Sequence, residues 1–196
     1  MAERIRVLHF VTRMNVGGVA VLIDNLLENI DNREFEVLLL SGRCENPEED
    51  YLDSRIYSYK RIKVESFHKS INIFDEIFNL FSIFKIIQDF KPDIIHTHTS
   101  KAGFLGRILV RVASPKSKVI HTFHGHLLFG YFNKLKLRLL INTERILGKL
   151  SHILIAMGSQ VKDDLVAAKI APVEKFQVFF PGLADPQNVD RSEEHT

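Results

Sequence analysis

Short, strongly apolar runs recur along this chain, and stretches with helical spacing fall between most of them. Arg4 to Thr12, Phe35 to Gly42, Asp93 to Thr99, Lys118 to His124, His152 to Gly158 and Lys175 to Gly182 read as strands, with Arg61 to Ser66 a weaker one. Val19, Leu22, Ile23, Leu26, Leu27 and Ile30 mark the buried face of a first helix. Ile73, Ile77, Leu80, Phe81, Phe84 and Ile87 mark that of a second, stopped by Pro92. Phe104, Leu105, Ile108, Leu109 and Val112 do so for a third, and residues 133–150 and 159–170 carry two more. Nearly every strand is apolar on both faces, so neither face can be left in water. That requires a parallel sheet with helices on both faces, a doubly wound, Rossmann-like α/β fold.

With 196 residues the chain is long enough for one well-cored domain. A formal net charge of +2 gives no reason to expect nucleic acid as a partner. The single cysteine, Cys44, excludes an intrachain disulfide and fits a reducing, cytoplasmic compartment. The segment MAERIRVLHFV is too short and too charged for a signal peptide, and no apolar run reaches the length of a membrane span.

In a sheet of this kind ligands gather beyond the carboxyl ends of the strands, and the unusual residues fall there. Gly17 and Gly18 lie between the first strand and the first helix, where glycine lets a ligand approach the backbone and the helix N-terminus favours an anion. The pattern is neither the dinucleotide-binding nor the Walker glycine motif, and a tight turn alone explains it almost as well. Five of the nine histidines fall between His96 and His126. His96 and His98 point to the same side of a strand and could hold zinc with His121, His124 or His126. No carboxylate or thiol accompanies them, so the expectation is no metal, with His96 and His121 as buried strand residues. His124-Gly125 differs: it stands where its strand runs out, and a histidine there can hydrogen-bond a sugar hydroxyl or a developing charge. Thr99, Ser100 and Lys101 offer hydroxyls and a cation to a polar or phosphorylated ligand, although a solvated lysine is as good a reading of Lys101. The stretch 130–150 carries Lys134, Lys136, Arg138, Arg145 and Lys149 against one acid, Glu144. It reads as a core helix with a basic solvent face, or as a surface for peripheral contact with an anionic membrane.

VTRMNVGGV…LIDNLL, KPDIIHTHTSKAGFLGRILVRVA, VIHTFHGH and IAMGSQVKDDLVAAKIAPVEKFQVFFPGL, in this order, resemble the N-terminal domain of family 4 glycosyltransferases over residues 3–186. These are retaining enzymes of the GT-B fold, many acting in bacterial surface polysaccharide synthesis. The resemblance implies two Rossmann-like domains facing across a cleft, the first holding the acceptor and the second most of a nucleotide-sugar donor, here expected to be UDP-linked. It implies that Gly17 and Gly18 approach the donor diphosphate. It implies that His124 and Gly125 meet the donor sugar at the reaction centre, and that Arg13, Asn15, Thr99, Ser100 and Lys101 lie on the acceptor side. It also implies no metal and no cofactor. The acceptor it suggests is a cell-surface glycan or a lipid-linked precursor, and the location the inner face of the membrane.

The family's C-terminal domain, with its Glu-seven-residues-Glu motif, has no counterpart here; Glu28 and Glu36 have that spacing on separate elements. The expected organisation is an acceptor-side domain over residues 1–184 and the start of an interdomain linker at 185–190. RSEEHT, Arg191 to Thr196, is what one frame of a common sequencing adapter encodes, so these residues are expected to be adapter read-through. By itself the chain is then expected to be inactive. The alternatives are a non-catalytic acceptor- or partner-binding module that works with a separate donor-domain chain, and a nucleotide-sugar epimerase of GT-B fold.

Overall fold

The computed structural model describes residues 3–70, 72–125 and 133–180, apart from the side chain of Ile73. The stretches 185–190 and 191–196, to which a linker and adapter read-through are assigned above, lie outside these residues, as does His126. Seven strands form one sheet: β1 (Ile5–Arg13), β2 (Phe35–Gly42), β3 (Lys60–Val64), β4 (Ile94–His98), β5 (Lys118–Phe123), β6 (Ile153–Ala156) and β7 (Phe176–Val178). Every pairing is parallel, in the order β3-β2-β1-β4-β5-β6-β7. Five α-helices connect them: α1 (Gly18–Glu28), α2 (Ile73–Phe90), α3 (Ser100–Ala113), α4 (Lys134–Leu150) and α5 (Ser159–Ala167). This is the doubly wound α/β architecture that the apolar runs require.

Alternation along the strands divides the core. Leu8, Phe10, Leu38, Leu40, Ile95 and Val119 pack on one face against Ile83 and Ile87 of α2 and Ala102, Leu105 and Val110 of α3. Farther along that face, Phe123, Leu154, Ala156 and Phe176 pack against α4 and α5. On the opposite face Val11, Val37 and Leu39 pack against Ala20, Ile23 and Leu27 of α1 and against Leu52 and Tyr59. The connection from β2 to β3 contains no described helix. Instead it bonds to the turn after β1, Val16 N–H to Glu49 O at 3.0 Å and Tyr51 N–H to Met14 O at 2.7 Å.

Two predicted helix faces are turned relative to expectation. In α2 the buried positions are Asn79, Ile83 and Ile87, with Ile86 and Phe90 packed beside them, while Phe74, Ile77, Phe78, Leu80 and Phe81 face outward. In α3 the core takes Ala102, Leu105, Gly106 and Val110, and Phe104, Ile108 and Val112 are exposed. α2 carries Ile, Leu or Phe on several sides, and α3 buries Arg107 on the face that periodicity would give to solvent, so apolar spacing alone does not choose between their faces. Small residues and hydrogen bonds decide. Gly103 and Gly106 let α3 lie close on the sheet: a Cβ on Gly106 would come 2.6 Å from Thr97 Cγ2 and 2.9 Å from Phe10 Cδ1. Asn79 is drawn in by Ser66, whose hydroxyl it accepts at 2.7 Å and whose carbonyl it donates to at 3.1 Å.

The single acid on α4 is buried, with Leu147 and Gly148. Glu144 meets the guanidinium of Arg107 on α3 at 2.9–3.0 Å, and both side chains are almost inaccessible. Burial pushes the Glu144 carboxyl up and the Arg107 guanidinium down, and their attraction opposes both shifts.

Candidate functional site

Because all strands run one way, their carboxyl ends form one rim. β1 and β4 are neighbours there and strand order reverses between them, which opens the crevice where doubly wound sheets take ligands. The turns at this rim are built from glycine. A Cβ on Gly18, Gly125 or Gly158 would meet nothing within 4 Å, and one on Gly17 would touch only Asn15 at 3.8–3.9 Å. Gly158 also has φ of +125°, which side chains rarely adopt. These glycines face space, unlike Gly103, where a Cβ would come 2.5 Å from the ring of His121.

Helix ends follow the same division. Asn72 and Asn133 cap α2 and α4, accepting from the Phe74 and Lys136 N–H groups at 3.1 and 2.9 Å. The N-cap residues of α1, α3 and α5, the helices that start at the rim after β1, β4 and β6, make no side-chain cap bond. Their N-termini direct partial positive charge toward the rim.

Thr99 stands at the turn from β4 into α3 with φ of 65° and ψ of 160°, a strained conformation for a β-branched residue. Thr12 at the end of β1 holds it. The two hydroxyls are 2.7 Å apart, and the Thr12 N–H donates to Thr99 Oγ1 at 3.2 Å. The Ala102 N–H of α3 bonds to Thr12 Oγ1 at 3.2 Å, so one threonine pins strand, turn and helix together.

Behind the rim a row of histidines crosses the sheet on the α1 side. His9 Nδ1 lies 3.1 Å from His98 Nε2, and His98 Nδ1 lies 3.0 Å from His124 Nε2. His96 packs against His98 with ring centroids 4.2 Å apart, and its Nε2 is 2.7 Å from Thr122 Oγ1. Burial lowers His9 and His124 to about 4. It lowers His96 and His98 well below 6.5, with neighbouring histidines adding to the effect. The row is therefore neutral at physiological pH, and His124 offers a hydrogen bond, not a cation. His121 points to the opposite face, where its Nδ1 is 2.9 Å from Thr97 Oγ1.

These rings border a groove of about 770 Å³ on the α1 side of the sheet. Ile94, Ile120 and Ile155 form its floor, Leu22 and Leu26 of α1 one wall, and Met157 and Phe179 its far end.

The structure brings Gly17, Gly18, Thr99, Ser100, His124 and Gly125 to the strand-end rim. Arg13 and Lys101 lie near it but are engaged by the protein. Arg13 Nη2 donates to Glu48 at 2.7 Å, which holds that carboxyl below its usual range. The Lys101 ammonium bridges the carbonyls of His68 and Ser70 and the carboxylate of Glu76, tying α3 to the start of α2. Asn15 pairs through its backbone with Asp50. On α4, Lys134, Lys136, Arg138 and Lys149 point to solvent among Leu135, Leu139 and Ile146, whereas Arg145 donates to Ala168 O at 2.8 Å.

Sequence reasoning did not single out His9 and Thr12. Both were reachable: once β1 and β4 are neighbours, His9 falls opposite His96, and the rim position of Thr12 follows.

The sequence profile of Glycosyltransferase Family 4 matches residues 16–184. Over 123 residues, 63% of this chain and 30% of the other, the chain is 31% identical to the UDP-Gal:alpha-D-GlcNAc-diphosphoundecaprenol alpha-1,3-galactosyltransferase of Escherichia coli. Among solved structures, a UDP-N-acetylglucosamine 2-epimerase superposes with a TM-score of 0.64 at 17% identity, covering 90% of this chain and 48% of the other. The lipopolysaccharide outer core galactosyltransferase WaaB gives 0.61 at 10% identity, with 90% and 45% covered. These two likenesses show the fold, shared by epimerases and transferases alike. The chain spans about a third of the length of its curated relatives and under half that of these solved structures. The profile match covers most of the chain and takes in both the glycine turn after β1 and the His-Gly after β5, and on that ground the chain belongs to glycosyltransferase family 4.

Proposed function

We propose that this chain is the acceptor-side domain of a retaining glycosyltransferase that moves a sugar from a nucleotide-sugar donor to a lipid-linked or cell-surface glycan acceptor. The observation that carries the proposal is the rim: open glycine turns and helix N-termini whose N-cap residues make no side-chain bond surround one neutral, partly buried histidine, within a chain of this family. A diphosphate leaving group gathers charge as the bond to the sugar breaks, and helix N-termini stabilise such charge without reorganising. Gly17 and Gly18 leave room for that diphosphate. His124 hydrogen-bonds a donor-sugar hydroxyl, with Gly125 leaving space beside it. Thr99, fixed by Thr12, lines the acceptor side with Ser100 and Asn15. Arg13 and Lys101 serve that side by holding its loops, through Glu48 and through the start of α2.

The named substrates of the Escherichia coli relative suggest a UDP-sugar donor and a polyprenyl-diphosphate-linked acceptor here too. Such an acceptor sits in a membrane. Among the described residues no helix is long and apolar enough to cross one. Exposed instead are Phe74, Phe78 and Phe81 on α2, Phe104 on α3, and Leu135 and Leu139 on α4 with Lys134, Lys136 and Arg138. An apolar surface edged with cations suits an anionic bilayer, each cation near the surface adding about 1 kcal/mol. We place this surface on the cytoplasmic leaflet. Residues outside 1–196 would supply the domain that grips the donor.

The test starts from the gene: sequencing through the codon for Asp190 in source DNA should continue into a second α/β domain. The full-length enzyme should transfer sugar from a UDP-hexose to a polyprenyl-diphosphate saccharide. His124→Ala should lower kcat by about 100-fold or more, the scale seen when one preorganised donor is removed. An unchanged rate in His124→Ala would remove the assigned role. No transfer from any nucleotide sugar, with binding of the saccharide retained, would favour a binding module. Pelleting with phosphatidylglycerol vesicles but not phosphatidylcholine ones, lost in Lys134→Glu/Arg138→Glu, tests the surface.

A further inference from the structure

We infer that His9, His96 and His98 form a binding site for a late first-row divalent metal ion of the zinc class. The three come from two neighbouring strands. On β4, His96 and His98 share one face because they are two residues apart; on β1, His9 lies in register opposite His96. Each offers one ring nitrogen, and those three nitrogens all lie within 4.8 Å of one another. Adjacent ligands of a tetrahedral zinc ion are about 3.3 Å apart when each bond is about 2.0–2.1 Å. His9 Nδ1 and His98 Nε2, at 3.1 Å, already have nearly that separation. The His96 nitrogen lies within 4.8 Å of the other two, so the third ligand requires that ring to move toward them.

The surroundings fit such an ion. His98 uses its other nitrogen, Nδ1, on His124 Nε2 at 3.0 Å. When that bond runs from His98 to His124, the proton sits on His98 Nδ1 and the lone pair on Nε2. This is the outer-shell arrangement that orients a metal-bound imidazole. With that His98 tautomer His9 Nδ1 is the donor of the 3.1 Å bond, so metal binding requires the His9 proton to move to Nε2, the imidazole staying neutral. His9 and His98 are buried, which fixes their rings, while His96 is partly exposed and both line the groove with it, giving the ion an entry path. No carboxylate belongs to this cluster. An all-imidazole set favours zinc, copper, nickel or cobalt over magnesium or calcium. Three protein ligands leave a fourth position open to the groove, for water or for a donor atom of a partner.

His96 and His98 alone supply two ligands, and their spacing in the sequence does not say which residue supplies the third. The third comes from β1, 87 residues upstream of His96, and only the fold joins them. The site stands apart from the glycosyltransferase reading: its ligands lie behind the rim, and an ion would touch the reaction centre only through His124.

The experiment titrates Co²⁺ and then Zn²⁺ into the metal-stripped chain, with His96→Gln, His9→Gln and the control His68→Gln measured in parallel. His68 contacts Glu45 and Asp75, each at 3.3 Å, and is the main competing locus with histidine and carboxylates. One equivalent of Co²⁺ should give intense d–d absorption of a four-coordinate ion, and Zn²⁺ should displace it. His96→Gln and His9→Gln should each weaken binding by at least about tenfold, and His124→Gln, the outer-shell partner, by about 10–100-fold. His68→Gln should bind as wild type. Circular dichroism identifies any variant that fails to fold; His96, partly exposed, then decides. A featureless titration, the weak spectrum of an octahedral aquo ion, or equal binding by His96→Gln and wild type would each overturn the proposal. So would loss of the signal in His68→Gln.

Discussion

Leu154 and Ile155 are consecutive on β6, and the fold treats them oppositely. Leu154 is fully buried beneath α4 and α5 with Phe123, Val161 and Leu165. Ile155 faces the other way, onto the floor of a groove that no described helix covers. The contrast extends across half the sheet. Among the described residues four helices crowd one face, and α1 alone lies on the other, over β1 and β2. The covered face holds the close contacts of Gly103 and Gly106 and the buried Arg107–Glu144 pair. The open face holds the histidine row. Right-handed crossovers that move outward from β1 in both directions produce this asymmetry, because the two directions put their helices on opposite faces. The covered face supplies rigidity, and the open one presents chemistry.

The strongest way to break this division is through the ion pair. Glu144→Gln strands a buried guanidinium and should cost about 3–5 kcal/mol in denaturant unfolding. A loss near zero would mean that the covered face is looser than its geometry. Next, Leu154→Ala should cost about 2–5 kcal/mol, and Ile155→Ala clearly less, since a half-covered site leaves no closed cavity. Equal losses would erase the distinction between the faces. Third, Gly106→Val should cost about 1–3 kcal/mol by overpacking. Gly125→Ala should stay within about 0.5 kcal/mol while lowering transfer by the full-length enzyme. The smallest effect concerns acid. His9 and His124 fall from 6.5 to about 4 on folding, so the unfolded chain binds their protons first. Their contribution is complete above pH 6.5 and is lost as pH falls toward 4. His9→Gln should flatten the fall in melting temperature over that window, and an unchanged slope would mean that the ring is not held neutral.

Much of this was legible from the residues. Apolar runs located the strands, and their two-sided character dictated a parallel sheet. His124-Gly125 and the glycine pair stood out by their place at strand ends, although a tight turn explains the pair almost as well. The faces of α2 and α3 were not legible, because Phe78 and Phe104 look as core-like as Ile83 and Leu105 until Gly106 and Asn79 set the rotation. Lys101 looked available for a ligand; its partners, the carbonyls of His68 and Ser70, belong to a segment that only folding brings near. His9 was hidden for the same reason, since a contact between β1 and β4 leaves no local trace.

The latch between Thr12 and Thr99 bears on how such a domain changes over generations. All seven strands end at one edge, and their pairing is settled well below it. A turn at that edge can therefore be exchanged, lengthened or retuned without disturbing the register beneath. The freedom is unequal. The turn after β4 is bolted through Thr99 to β1, so inheritance should carry Thr12 and Thr99 as a linked pair, altered together or not at all.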